Sequence, residues 1–471
     1  MAHTIGPHLN ALHNAGKDEI RRIAASTSRG ASQGGRRNDV KIPDPRLFQA
    51  LGAAPIPTDC TVPIPSISEC AVHLELLEVF YYLRVRVLQS TELDAAFGVC
   101  PNKRTVFRKN YSSRTYEPVV LRDGTFEARR RAKWRYFLDL AVMRFMRWAR
   151  ARGLEGETAR SPLLPPLDIL MVWHALLLNP VQFRKYCADN RLVWIRKLPF
   201  PWPEIHKAID SENWLYTLPS DDVLEFACDS LSVLDLFRHL AQVGRTEGRA
   251  RAALSGASPQ PSQATAPGGG ELPPVRSGYI TSLRATETGR PEFRALRENV
   301  ERQVSFVDKM HAHLWIRSPA VEGTLCRAID RYVKFLRLFK HYPDTTLVPT
   351  LDIDLVWHTH QCSPEHYRHS MAERTGRFIN HDDTIGQQTL DDGMDKTAEF
   401  FLVRFGQDYK ACKCWDCEAV VLAIEESVHG DRDGETPLEK SIEDMVHRVR
   451  ADVNYYRARE LERRLAKPLS F

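Results

Sequence analysis

One short stretch occurs twice. Pro166-Leu167-Asp168-Ile169-Leu170-Met171-Val172-Trp173-His174 aligns without a gap on Thr350-Leu351-Asp352-Ile353-Asp354-Leu355-Val356-Trp357-His358. The match runs on through Asn179-Pro180-Val181-Gln182-Phe183 against Ser363-Pro364-Glu365-His366-Tyr367. Upstream, Arg144-Phe145-Met146-Arg147 resembles Lys334-Phe335-Leu336-Arg337, with a longer spacer before the motif in the first copy. Each copy therefore reads as a basic amphipathic helix, a proline-containing turn, the Leu-Asp-x4-Trp-His segment and a second proline. Internal repeats of this kind mean two similar substructures.

The segment itself admits two readings. Leu351, Ile353, Leu355 and Trp357 alternate with polar or smaller positions, as in a strand, whereas the first copy is apolar almost throughout. Proline shortly before, an acidic residue in the first turn and Asn-Pro or Ser-Pro beyond the end are helix start and stop signals, and they favour a buried helix in both copies. On a helix, Asp354, His358 and Gln361 share one polar stripe, and His360 turns away from His358 beneath Trp357. On a strand, Asp354, His358 and His360 would point the same way.

Helical periodicity dominates the remainder. Trp134, Phe137, Leu138, Ala141, Val142, Phe145 and Trp148 fall at spacings of three and four, and Val333, Phe335, Leu336 and Phe339 repeat the pattern. The expected fold is mainly α, with two diverged helical repeat units joined by a flexible linker and followed by a C-terminal amphipathic helix. Composition and punctuation give the boundaries: a mobile leader over 1–58, a first repeat unit over 59–243, a linker over 244–290 and a second repeat unit over 291–430. The terminal helix takes 431–471. It opens on a capping box at Thr436 and Glu439 and is lined by Leu438, Ile442, Met445, Val449, Val453 and Tyr456. This helix either docks on the body or is presented to a protein partner.

Bulk properties narrow the classes. Apolar residues make up 43% and charged residues 27%, the balance of a globular chain, and the net charge is only +5. Residues 1–20 lack the apolar stretch of a secretory signal. The longest apolar run, 169–178, has about half the length a bilayer span needs. Ten irregularly spaced cysteines in 471 residues do not make a disulfide scaffold. The expectation is a cytoplasmic or nuclear protein with free thiols and no membrane contact. Walker loops, Rossmann glycine fingerprints and serine-hydrolase elbows are missing, which removes the common nucleotide enzymes and serine hydrolases.

Four clusters carry chemistry. Asp354 and His358, completed by His381 or Asp382 from a later loop, offer the imidazoles and carboxylates that a divalent zinc, manganese or iron ion requires. The structural alternative is a buried His358 bonded to backbone or to Asp354, and the first copy favours it: it keeps Trp173-His174 but has Leu170 and Leu176 where the second has Asp354 and His360. Cys412, Cys414 and Cys417 offer three thiolates to zinc, short of the usual four ligands, or pack as small apolar residues around Trp415. Asp221-Asp222-Val223-Leu224-Glu225 has the form of a magnesium motif but fits a helix cap better. Arg129-Arg130-Arg131 with Lys133, Arg135, Arg144, Arg147, Arg150 and Arg152 could contact RNA; a solvated helix face is the simpler reading.

The second copy also resembles the glycine-rich domain-containing protein-like family of plants and fungi. The resemblance rests on Leu351 through Gln361 with its Trp357-His358-Thr359-His360 core, on Ser363-Pro364 and Tyr367, and on Phe378-Ile379-Asn380-His381-Asp382-Asp383. The first copy and Cys412-Lys413-Cys414-Trp415-Asp416-Cys417 extend it weakly, to roughly residues 60–430. It implies a role like that of plant relatives associated with growth and stress, some proposed to bind RNA, and it transfers no catalytic residue. The chain has 25 glycines and no long glycine-rich tract, so functions that need such a tract are not implied. Two functions stay open: a binding or regulatory protein acting through macromolecular partners, and a metal-dependent enzyme whose site lies in the second unit. Asp168, Trp173, His174, Asp352, Trp357 and His360 are expected to be structural.

Overall fold

The computed structural model describes residues 41–52, 63–101, 104–110, 112, 114–155, 164–219, 233–254, 275, 277–382, 385–430 and 438–466. These are mainly helical, as the periodicity predicts. The acidic motif at 221–225, the capping box at 436–439 and the expected leader before residue 41 lie outside the described residues or their described side chains. No described helix is long and apolar enough to cross a membrane.

The chain packs as two compact units. Of the described residues, the larger gathers those within 1–81, 176–217 and 302–470, and the smaller those within 82–175 and 218–301. In chain order the elements are α1 (Ile67–Gln89), α2 (Thr91–Ala96), β1 (Arg104–Lys109), β2 (Tyr116–Leu121), α3 (Phe126–Glu155), α4 (Leu167–Leu177), α5 (Pro180–Asp189), α6 (Val193–Lys197) and α7 (Trp202–Ala208). There follow β3 (Ile209–Asp210), β4 (Leu215–Tyr216), α8 (Leu236–Leu254), α9 (Gly278–Glu287), α10 (Glu292–His313), α11 (Val321–His341), α12 (Leu351–Gln361) and α13 (Pro364–Thr375). The chain closes with α14 (Gln387–Phe405), α15 (Trp415–Gly430) and α16 (Leu438–Ala466). Both ends of the expected linker are helical, in α8 and α9; residues 255–274 lie outside the described residues. Two antiparallel ribbons, β1 with β2 and β3 with β4, were not foreseen.

In the larger unit α11 is the hub, packing against α12, α13, α14 and α15. It buries Leu325, Ala328, Tyr332, Phe335, Leu336 and Phe339 along one stripe. The motif helix α12 is enclosed on nearly every side, with only Leu351 and Asp354 not fully buried. That enclosure explains why its sequence shows no clean amphipathic period: a helix buried all round has no solvent face to mark with polar residues. Its polar side chains are tied instead to neighbours. Thr359 donates to Leu355 O at 2.8 Å and lies 2.8 Å from His73 Nδ1, and Trp357 Nε1 donates to Tyr367 Oη at 2.9 Å. The terminal helix α16 is docked on α15, with Val453, Glu460 and Leu461 buried and Arg457 paired with Asp416 at 2.5 Å.

In the smaller unit α3 carries the basic run, and the expected solvated face holds for Arg131 and Arg135, which are exposed, but not for the whole run. Lys133 and Arg144 are fully buried. Lys133 pairs with Asp94 at 2.5 Å, Arg144 with Asp168 at 2.6 Å, Arg129 with Asp123 at 2.7 Å, and Arg150 with Glu287. A burial of this kind needs a partner for each charge, and those partners are scattered over many residues of sequence, which is why a reading of α3 alone missed them.

Candidate metal centre

The motif begins the same way in both copies. Arg144 Nε donates to Asp168 Oδ2 at 2.6 Å and its Nη2 to the Val233 carbonyl at 2.7 Å. Arg331 Nε donates to Asp352 Oδ2 at 2.8 Å and its Nη2 to the Tyr409 carbonyl at 2.8 Å. Behind each pair an aromatic ring rests on the motif tryptophan: Trp148 lies 5.6 Å from Trp173, and Phe335 lies 5.7 Å from Trp357. These contacts correct the upstream alignment. Arg144-Phe145-Met146-Arg147-Trp148 corresponds to Arg331-Tyr332-Val333-Lys334-Phe335, one helical turn earlier than the apolar stripe suggested. A stripe that recurs every three or four residues looks alike after such a slip; the buried arginine is what fixes the register. Next, α5 and α13 each start on a proline whose preceding residue adopts nearly the same conformation, φ −120° and ψ 75° at Asn179, φ −114° and ψ 79° at Ser363.

Among the described residues, only the second copy goes on to assemble a cluster. Asp354 and His358 stand one turn apart on α12, so both face the same side. α13 ends at Gly376, whose φ of +76° permits the left-handed turn that closes the helix. The chain then passes Ile379, whose carbonyl accepts from Tyr367 Oη at 2.7 Å, and delivers His381. Its Nε2 lies 3.2 Å from Asp354 Oδ1 and 3.2 Å from His358 Nε2, and the third edge, His358 Nε2 to Asp354 Oδ1, is 3.4 Å. Phe306 packs on the His358 ring at 4.3 Å and Trp357 meets His381 edge-on at 4.8 Å. His358 is 2% exposed, and the Asp354 side chain, at 20%, opens the cluster to solvent.

The protonation states suit a cation. Burial pulls the His358 imidazole down to about 4, against partial opposition from Asp354, so it is neutral at pH 7. Burial works to raise the Asp354 carboxyl, but His358 and the hydrogen bond from His381 outweigh it and hold it below its ordinary value. With His381 Nε2–H donating to Asp354 Oδ1, the His358 Nε2 lone pair is left facing into the cluster, the state a metal ligand requires. Neither Nδ1, of His358 or of His381, has a hydrogen-bond partner among the described residues.

The remaining candidates stand elsewhere. Asp382 is exposed and is not one of the three residues whose donor atoms converge; His341, His366 and His369 are exposed too. His360 lies on another side of α12, as a helix requires, with Nδ1 2.9 Å from Tyr332 Oη, and burial lowers it to about 3. Asp352 serves Arg331. Cys412, Cys414 and Cys417 form a second group, their Sγ atoms all within 4.8 Å of one another. Arg331 and Phe306 were not singled out from the sequence; an arginine followed by aromatic residues at one and four positions, present in both copies, is the signal that would have found the first.

The motif helix and its surroundings carry a family signature. The pattern of the glycine-rich domain-containing protein-like family matches residues 284–370. This segment is similar to that family. Two Arabidopsis thaliana proteins share it: glycine-rich domain-containing protein 1 is 39% identical over 93 residues, 18% of this chain and 11% of that protein. Glycine-rich domain-containing protein 2 is 36% identical over 93 residues, 18% of this chain and 12% of that protein. The chain thus spans little more than a tenth of the length of these relatives. No solved structure matches it. The matched segment holds Asp354 and His358 but ends before His381, and the first copy and the cysteine group lie outside it.

Proposed function

We propose that the larger unit binds one divalent transition metal ion through Asp354 Oδ1, His358 Nε2 and His381 Nε2, and that the protein's activity depends on this ion. One observation carries the proposal. Ligand atoms on a tetrahedral ion with bonds of about 2.0–2.1 Å stand about 3.3–3.4 Å apart; the three edges here are 3.2, 3.2 and 3.4 Å. Three protein ligands leave coordination open to water or substrate, the arrangement of catalytic rather than structural sites. Two imidazoles and a carboxylate also make up the ligand set of non-haem iron centres. The reaction class this supports is metal-assisted activation of water or oxygen.

The partner-binding reading drew on the repeat, the terminal helix and the missing catalytic signature, and the terminal helix is docked within its own unit, α16 on α15. The RNA reading drew on the basic run, of which Lys133, Arg129, Arg144 and Arg150 pair with Asp94, Asp123, Asp168 and Glu287. The metal reading therefore carries more of the observed geometry. Elemental analysis of the purified protein beside His358→Ala and His174→Ala tests it, with far-ultraviolet circular dichroism as the check on folding. The expected result is about one metal equivalent missing from folded His358→Ala and none missing from His174→Ala. Equal metal content in all three proteins would sink the proposal.

A further inference from the structure

We propose that Cys412, Cys414, Cys417 and His313 form a second metal site, a closed structural zinc centre independent of the one above. Cys414 immediately precedes α15 and Cys417 lies in its first turn, so both thiols gather at the start of that helix. The Cys414 sulfur accepts the backbone N–H of Cys417, and Cys412 joins them, with all three Sγ atoms within 4.8 Å. Three thiolates on one zinc ion, at bonds of about 2.3 Å, stand about 3.8 Å apart, so only a small contraction is needed.

The fourth ligand proposed, His313, stands about a hundred residues upstream; its ring nitrogens are not among the donor atoms that already converge, so its ring must move towards the thiols to bind. His313 ends α10 and lines the same cavity of about 270 Å³ as Cys412 and Cys414, and its Nδ1 is buried with no hydrogen-bond partner among the described residues. Two crossed bonds hold the segments together. Trp415 Nε1 donates to the His313 carbonyl at 2.9 Å, and Trp315 Nε1 donates to the Lys413 carbonyl at 2.8 Å. Cys3His is a closed structural set for zinc, soft enough in its sulfur ligands to disfavour manganese. Its net charge of about −1, three thiolates against one divalent ion, faces Lys410 and Lys413 on the cavity wall. The ion would fasten the chain just after Asp408 and Tyr409, whose carbonyls accept from Arg331. It thereby braces the buried Arg331–Asp352 pair at the start of α12.

Cobalt substitution of the full chain under reducing conditions tests this. Sulfur-to-cobalt charge-transfer bands and intense tetrahedral d–d bands are expected in the wild type. They should persist in His358→Ala, disappear in Cys412→Ser, where the altered side chain is exposed, and shift in His313→Ala. With zinc bound, three thiols should resist modification until a chelator is added. The proposal is overturned by bands that vanish in His358→Ala, by bands that survive unchanged in Cys412→Ser, or by a disulfide between any two of the three cysteines. It is equally overturned if wild type shows no thiolate bands and three freely reactive thiols. Loss of the Asp354 site leaves the sulfur-to-cobalt charge-transfer bands and the thiol protection unaffected.

Discussion

In α4, Asp168 is held by Arg144, Trp173 rests on Trp148, and positions 170 and 176 are leucines with no exposure. In α12, Asp352 is held by Arg331, Trp357 rests on Phe335, and the matching positions are Asp354 and His360. The backbone and the anchoring pair are shared; the polar atoms on the far side are not. A buried arginine–aspartate pair with a tryptophan behind it is thus a way of fastening a short helix, and it works with or without a site alongside. His174 is buried as His358 is, but among the described residues it is not part of a group of three converging donor side chains. What separates the copies is Asp354 together with the loop that brings His381.

The largest effects should strike both copies alike. Asp168→Ala and Asp352→Ala each strand a buried guanidinium, and removing one partner of such a pair costs about 3–5 kcal/mol. Urea unfolding should show comparable losses; a loss confined to one copy would break the equivalence drawn here. The second effect belongs to the larger unit. His358 sits at about 4 when folded against an ordinary 6.5, and His360 at about 3. Between those limits the unfolded chain takes up protons that the folded chain refuses. Stability is therefore full above pH ~6.5 and falls as the pH drops towards 4, by about 3 kcal/mol from His358 alone. Stability measured in metal-free buffer from pH 8 to pH 4 checks the sign; a protein that gains stability on acidification contradicts the burial assigned to these rings.

A smaller change sharpens the contrast. Tyr367 accepts from Trp357 and donates to the Ile379 carbonyl, tying α12 to the loop that ends in His381, where the first copy has Phe183. Tyr367→Phe should cost about 1–3 kcal/mol in stability by leaving buried partners unsatisfied. It should also weaken metal binding about ten-fold or more, as loss of an outer-shell contact does, by titration calorimetry. Unchanged affinity would mean that the loop positions His381 without this tether.

Much of this was legible in the sequence. The helices, their proline starts, the pairing of Asp354 with His358 and the neighbourhood of His381 all follow from period and spacing. The choice between His381 and Asp382 did not, because it depends on a loop leaving Gly376, where one residue's conformation decides which side chain turns inward. The fate of the α3 cations was hidden because Asp94, Asp168 and Glu287 are brought to them by tertiary packing. His313 was hidden for the same reason, its cysteine neighbours being distant in sequence.

The most direct measurement is a crystal structure of metal-supplemented protein with anomalous data collected at the metal's absorption edge. The account predicts a peak about 2.0–2.2 Å from Asp354 Oδ1, His358 Nε2 and His381 Nε2. A cluster with no peak there, its three side chains joined by hydrogen bonds at full metal supplementation, would contradict it.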